Sequence, residues 1–522
     1  MNFIFKNYFY YLIFFYTIIL IFLSLKVGIT HDESYHHTVW LINKKIYLNY
    51  LLGANYDISF PEYGANFYGI GFQLFSIPLS FITNFITANI DSVSETNILI
   101  SKHPTIVLMF IISGIYFKNI INLITNHKFF SEICAILFLS YPYILGHSFF
   151  NTLDVPFMSI WVICTYYIIK ISSTFFITKK IFIKDVIYLG LLTGFLLSIR
   201  ISGVLIFFEY LIFLIFTVSN SDITIYNFIK ITYQKIILFL VFLSLLFIIL
   251  HPNYWNDFAK IYYAILYMGQ HIQTVCTVTL GTCMKAQNLP STYIPIWLFF
   301  KLPILILFGL VTFPIVEKKI FLDKKNGVII GSLIASCFLI ILSLIFFNVN
   351  LYDEIRQILF VIPIIFIISL SFLFFFSKKI SFLLISLFII FFSIQNIKIF
   401  PYNYIWLNNF SSFTKVNNVF EADYWGVSTR NISNYINSKN IKSNECVISS
   451  RNEAIKIFTK KDLCFVNFKE LHKKNLRPFY VVLIERTLKK GIPNNCSEVH
   501  TEYIKMNFTN EKIDLAKVYK CN

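Results

Sequence analysis

Long apolar runs broken by short polar turns make up most of the chain, and their lengths set the first expectation. Residues 8–29, 104–124, 130–147, 155–171, 185–199, 201–218, 235–251, 293–316, 327–347, 357–376 and 380–397 are each predominantly Ile, Leu, Phe, Val and Tyr. Such runs are read as helices crossing about 30 Å of hydrocarbon. The pattern therefore predicts an α-helical polytopic membrane protein with eleven transmembrane helices over residues 1–397. A twelfth run, 67–88, carries Gly69, Gly71, Gln73, Pro78 and Asn84, and is expected to be re-entrant or to lie on the membrane surface. The first run is too long and too aromatic for a signal peptide and has no small-residue cleavage site, so it reads as a retained helix.

The pattern changes in the tail. From about Glu421 a helix-like stretch, "GVSTRNISNYIN", is followed by short strand-like runs, "CVISS", "LCFVN" and "FYVVLIE". About 100 residues suffice for one small α/β domain. The domain division expected is thus a membrane domain, 1–397, and a tail, 398–522, with its α/β part from about residue 421.

Composition agrees with a membrane chain: 57% hydrophobic, 19% aromatic and 14% charged. The formal charge of +17 would suggest nucleic acid in a soluble protein. Here most lysines sit in short loops between apolar runs, so no nucleic-acid partner is expected. Parity turns those lysines into a topology. If 67–88 does not cross, Lys179, Lys180, Lys184, Lys230, Lys235, Lys318, Lys319, Lys324, Lys325, Lys378 and Lys379 all face the cytoplasm. The N-terminus is then cytoplasmic, in an inner or plasma membrane. Loops 30–103, 148–154, 252–292 and 348–356 and the tail share the extracytoplasmic face.

Cysteine use points the same way. Cys276 and Cys283 fall in one outer loop, and Cys446, Cys464, Cys496 and Cys521 in the tail. Even numbers per segment fit disulfides in an oxidising compartment, with three pairings open for the tail. No Cys-x-x-Cys, Gly-rich phosphate loop, His-Glu-x-x-His or Gly-x-Ser-x-Gly motif occurs.

Polar groups recur at the outer ends of the runs. "ITHDESYHHTVW" (29–40) places Asp32 and Glu33 after the first; Asp154 opens the fourth in "FFNTLDVPFM"; Arg200 sits in "LSIRISG"; "HPNYW" ends in Trp255; and "YDEIRQILFVIP" holds Tyr352, Asp353 and Arg356. Charge beside lipid is costly, so such a set points to a site. With "LPSTYIPIWLFFKLP" and the tail's "ADYWGVSTRNISNYI", these stretches resemble the GT-C superfamily of integral-membrane glycosyltransferases. The nearest likeness is to the protein O-mannosyltransferase and lipid A aminoarabinose transferase group. It covers scattered parts of residues 1–440, and departs from the group in reading "FPEYGANFYGIG" where a Pro-Pro pair is common. The resemblance implies a GT-C-like fold and transfer of a sugar from a polyprenyl-phosphate donor to an acceptor glycan, lipid or protein on the outer face, with inversion and no nucleotide sugar.

The chemistry assigns expected roles. An alcohol needs a carboxylate to take its proton, for which Asp32 is the candidate base, with Glu33 orienting the acceptor or the base. A departing lipid phosphate needs cationic donors, with Arg356 first and Arg200 and Lys102 behind it. Asp154 positions the acceptor or helps hold a divalent cation, the one cofactor considered. His103, Tyr352, Asp353 and Trp255 are the expected substrate contacts. Each has an ordinary alternative: interfacial solvation for the acid pair, a helix N-cap for Asp154, and an i,i+3 pair with Asp353 for Arg356. His31, His36 and His37 match no metal-ligand spacing and read as loop histidines. A transporter or flippase of a lipid-linked or anionic substrate is the second class; Glu209 is nearly the only acid deep within a run.

Overall fold

The computed structural model describes residues 8–61, 63–87, 98–221, 223–270, 275–439, 445–449, 451–459, 463–467, 479–484, 495–506 and 511–521. Parts of the expected outer loops, 88–97 and 271–274, and the His31 side chain lie outside the described residues. In chain order the helices are α1 (Tyr8–Ser24), α2 (His31–Leu52), α3 (Gly71–Thr87), α4 (His103–Thr125), α5 (Lys128–Ser140), α6 (Pro142–Ser148), α7 (Asp154–Thr178), α8 (Ile183–Ile199), α9 (Ile206–Ser219), α10 (Ile225–Ile249) and α11 (Lys260–Gly269). A hairpin of β1 (Cys276–Thr279) and β2 (Thr282–Lys285) precedes α12 (Tyr293–Lys301), α13 (Ile304–Val311), α14 (Phe313–Leu322), α15 (Lys324–Phe346), α16 (Val361–Phe376) and α17 (Lys378–Ile399).

All eleven apolar runs contain helix, but they do not cross equally. By length and composition, six described segments suffice to span: Ile98–Thr125, Asp154–Thr178, Ile201–Ser219, Ile225–Ile249, Lys324–Phe346 and Lys378–Ile399. The count reaches eight if each of two bent pairs is one span. Both bends have a proline cause. Pro142 opens α6 and turns it 64° from α5; Pro303 follows α12, and α13 leaves at 112°. Proline lacks the N–H that would continue the ladder, so each run breaks there. The other three runs hold α1, α8 and α16, of 17, 17 and 16 residues. Each reaches about 25 Å at about 1.5 Å per residue, short of the hydrocarbon thickness. Run 67–88 yields α3, also 17 residues, with Pro78 inside it. Leu74, Phe75, Ile77, Phe81, Ile82 and Phe85 form an exposed apolar row along it.

The largest departure from the sequence reading follows α1. Residues 31–52 are not loop but the helix α2, so His36 and His37 are helical residues rather than loop histidines. Gly28 allows the sharp entry, because a Cβ there would lie 2.5 Å from the Val427 carbonyl oxygen.

The tail builds α18 (Val416–Val419), α19 (Thr429–Ser438), β3 (Cys446–Ser449), α20 (Asn452–Phe458), β4 (Cys464–Asn467), β5 (Phe479–Ile484), β6 (Cys496–Lys505) and β7 (Lys512–Cys521). Its five-stranded sheet has the order β4-β3-β5-β7-β6, with β4, β3 and β5 parallel and β7 and β6 antiparallel. α19 and α20 cover it through Ile432, Ile436 and Ile455 against Val447, Val482 and Val518. The open pairing is resolved: Cys446 bonds Cys464 across β3–β4, and Cys496 bonds Cys521 across β6–β7. Cys276 bonds Cys283 within the hairpin.

Tail, hairpin and the end of α1 meet at one end of the bundle. Arg430 donates to the carbonyls of Leu25 at 2.8 Å and Val27 at 3.0 Å. The Gly281 N–H reaches the Val419 carbonyl at 3.0 Å, and the Glu421 N–H reaches that of Val278 at 3.2 Å. The site forms where they converge.

Candidate functional site

Four chain segments far apart in sequence bring their charged residues to one point. α2 starts at His31 and so places Asp32 in its first turn. α7 starts at Asp154, whose backbone N–H and that of Leu153 are capped by the Asn151 side-chain oxygen at 2.8 and 3.1 Å. The capping role expected of Asp154 therefore belongs to Asn151, and the Asp154 carboxylate is free for other partners. Arg200 sits at the break between α8 and the next 3-10 turn. The loop before α16 contributes Asp353 and Arg356. Asp353 and Glu354 are both left-handed, at φ 55° and 65°, a conformation that costs a non-glycine residue about 1–3 kcal/mol. Their surroundings hold it: the Asp353 N–H donates to Thr277 Oγ1 at 2.8 Å, and Tyr293 donates to the Glu354 carbonyl at 2.9 Å. Thr277 lies on β1 of the disulfide-closed hairpin.

Arg356 is the hub. It donates through Nε and Nη2 to Asp353 Oδ2 at 3.2 and 3.1 Å, through Nη1 to Asp154 Oδ2 at 3.2 Å, and through Nη2 to Asp32 Oδ2 at 3.5 Å. The i,i+3 pair with Asp353 is thus present, as one part of a larger set. Arg200 donates to the other Asp154 oxygen. The rings of Trp425 and Tyr352 lie against the Arg356 guanidinium, with centroids at 4.3 and 5.1 Å. Burial opposes the Arg356 charge, but Asp353, Asp154 and Asp32 outweigh it and raise its pKa above the already high arginine value.

Exposure separates the acids. The Asp154 side chain is 1% exposed and that of Asp353 10%, whereas Asp32 keeps 37% open. Beside Asp32 an aromatic group collects: His36 packs edge-on to Tyr68 at 5.0 Å and to Tyr35 at 5.4 Å. Burial pushes the His36 pKa down to about 4, with Asp32 acting in the opposite sense. Burial likewise raises the Tyr68 phenol. Next to them, a cavity of about 20 Å³ is lined by His36, Tyr68, Gln73, Thr152 and Ser198 among others. A second, of about 820 Å³, lies between α2 and the tail, where Ser34, His37 and Thr38 face Arg451 and Lys456.

Other expected site residues lie elsewhere. Glu33 turns away from Asp32: its Oε1 accepts from the Thr30 N–H at 2.8 Å, and its Oε2 pairs with His103 Nε2 at 2.8 Å. His103 Nδ1 faces the Ser24 carbonyl at 3.0 Å. These two residues pin α1, α2 and α4 together. Lys102 donates to Gln73 at 2.7 Å and lies 3.0 Å from His37. Trp255 packs edge-on to Tyr47 and Tyr50 at 5.0 and 5.1 Å and donates to the Ile248 carbonyl, tying α2 to the end of α10. Tyr352 and Asp353 are at the hub. Among the described residues, no group of three or more His, Cys, Asp or Glu is arranged to hold a metal ion.

Sequence reasoning missed Tyr68, Trp425 and a buried pair behind the hub. Lys301 Nζ meets Glu354 Oε2 at 2.7 Å, with side chains 0% and 1% exposed. A signal for the pair was present: Lys301 stands alone in the apolar run 293–316, and a lysine there requires a partner.

Fold and site together define an α-helical integral membrane protein with a disulfide-bonded α/β tail and a buried carboxylate–guanidinium cluster where the two meet. No protein-family model matches the chain, and no curated protein matches it. Among solved structures it is similar to ArnT from Cupriavidus metallidurans bound to undecaprenyl phosphate, at 10% identity, covering 98% of this chain and 98% of that one, with TM-score 0.48. It is also similar to the apo state of the same protein, at 9% identity, covering 99% and 98%, with TM-score 0.46.

Proposed function

We propose that the protein is a membrane glycosyltransferase of the GT-C type that moves a sugar from a polyprenyl-phosphate donor to an acceptor hydroxyl on the extracytoplasmic face. The observation that carries this reading is the inequality of the three acids around Arg356. Asp154 and Asp353 are closed off by guanidinium groups, while Asp32 touches Arg356 at 3.5 Å and stays 37% open. A carboxylate oriented by one long contact and open to a substrate can come within hydrogen-bond reach of an acceptor hydroxyl, which a general base must do.

The acceptor hydroxyl gives its proton to Asp32 as its oxygen forms a bond to the anomeric carbon. The bond from that carbon to the phosphate oxygen breaks on the opposite side, and its electron pair leaves with the polyprenyl phosphate. One displacement inverts the centre. For the phosphate, Arg200 is the better clamp. Arg356 already spends four hydrogen bonds on carboxylates, of the five N–H groups a guanidinium has. Arg200 gives one, to Asp154, and its side chain is 15% exposed. Tyr68 and Tyr35 offer the sugar an aromatic wall. The three disulfides support an oxidising compartment for the hairpin and the tail.

The test is a purified full-length protein in lipid nanodiscs, given a polyprenyl-phosphate donor labelled in the sugar and a panel of polysaccharide, lipid A and hydroxyl-peptide acceptors. Label should pass to one acceptor class with matching release of polyprenyl phosphate. No acceptor-dependent transfer across the panel would count the reading out.

A further inference from the structure

Behind the cluster lies a line of polar groups that the proposed chemistry does not touch. Lys301 Nζ, besides its bond to Glu354, faces the carbonyls of Tyr404, Ile405 and Trp406 at 3.5, 3.4 and 3.2 Å. Glu354 Oε2 also accepts from the Tyr424 hydroxyl at 3.2 Å. Tyr424 Oη lies 3.3 Å from His147 Nε2, and His147 Nδ1 lies 3.3 Å from Asn151 Nδ2. The same Asn151 nitrogen donates to Asp154 Oδ2 at 3.0 Å.

The Asn151 amide sets the direction of the line. Asn151 spends its oxygen on two backbone N–H groups, so the amide nitrogen must face both His147 and Asp154. His147 Nδ1 is then an acceptor, which leaves the ring proton on Nε2 and makes it the donor to the Tyr424 oxygen. Tyr424 then donates onward to Glu354 Oε2, which is held by Lys301. The chain runs from the ion pair to the hub without a gap, and Glu354 adjoins Asp353 in the left-handed turn. A buried ion pair is a poor way to gain stability, because desolvating two charges cancels most of their attraction. A fixed orientation at its far end is a better account of why it is there.

We propose that the buried Lys301–Glu354 pair is the positioning device of the site. Through Tyr424, His147 and Asn151 it fixes the Asp154 carboxylate, and through the 353–354 turn it fixes Asp353, so that Arg356 meets Asp32 in one orientation. Calling these positioning residues for a transfer reaction rests on the glycosyltransferase reading, but the orientation itself is measurable without turnover.

The experiment follows Asp32. Full-length protein in nanodiscs is treated with a carbodiimide and an amine at one fixed pH, and the rate at which the Asp32 peptide is labelled is measured by mass spectrometry. The groups facing Asp32 are Arg356, His36, Tyr68 and Tyr352. Tyr424→Phe removes one hydroxyl and keeps the ring. As Arg356 loses its fixed placement and frees Asp32 for the reagent, the labelling rate of Asp32 should rise by about threefold. Glu354→Gln should move it the same way, and the double variant should go no further than the larger single effect. In transfer, both variants should bind polyprenyl phosphate like the wild type and turn over at least about tenfold slower. An unchanged Asp32 labelling rate in both variants overturns the proposal, whatever happens to their thermal stability. A wild type that transfers no sugar removes the transferase reading alone, since the labelling rate still decides the positioning claim.

Discussion

Asp32 and Asp154 are the same side chain in opposite circumstances, and substitution should separate them. Asp154→Asn leaves Arg200 and Arg356 facing a neutral amide inside the protein. Breaking a buried pair costs about 3–5 kcal/mol, so the variant should show a markedly lower thermal midpoint or fail to accumulate. Asp32 is open to solvent and makes its contact at 3.5 Å. Asp32→Asn should melt close to the wild type in the same detergent. His36 supplies a pH dependence. Its pKa falls to about 4 when folded, from 6.5, so the unfolded chain binds the extra proton between those values. The resulting stability is full above pH 6.5 and is lost as pH falls toward 4. His36→Phe keeps a ring against Tyr68 without titrating, and its melting point should fall less steeply over that window. Much of the hub was legible as residues: Asp32, Asp154, Arg200, Asp353 and Arg356 each stand out because charge at a membrane boundary is conspicuous. Tyr68 and Trp425 were not, since one aromatic among 98 Phe, Tyr and Trp (60, 32 and 6) carries no signal until its neighbours are known.

The elements that aim these side chains depend on close backbone approaches. Gly146 in α6 is one: a Cβ there would lie 2.0 Å from the Tyr404 nitrogen and 2.5 Å from the Asn403 carbonyl carbon. Neither can yield without moving the turn on which Lys301 rests. Gly146→Ala should therefore cost at least about 2 kcal/mol, read as a fall in thermal midpoint. Long spans and the tail's first three strands were legible from apolar length and β-branched runs. α2 was not, because its 22 residues mix His, Asn, Lys and Tyr with Ile and Leu and fit no hydrocarbon span. The partner of Glu33 was hidden for the same reason: once the segment is a helix, Glu33 lies on a different face from Asp32 and pairs with His103. β6 and β7, CSEVHTEYIK and KIDLAKVYKC, mix polar and apolar residues without a strict period of two, and so carried no strand signal.

Over the whole molecule, the account requires the tail, the hairpin and the Asp32 cluster to share one face, with the lysine-rich turns on the other. Single cysteines replacing Lys505 on β6 and Lys379 at the start of α17, both exposed, provide the test in intact cells. An impermeant maleimide should label the first and spare the second until the membrane is opened. The most direct measurement goes to Asp32, the proposed base. Wild type and Asp32→Asn, loaded with sugar-labelled polyprenyl-phosphate donor in nanodiscs, are compared for donor retention and for a single round of transfer to the acceptor identified in the panel. The account predicts equal donor retention with transfer slowed by about a hundredfold or more in the variant. Transfer at the wild-type rate by Asp32→Asn would contradict it.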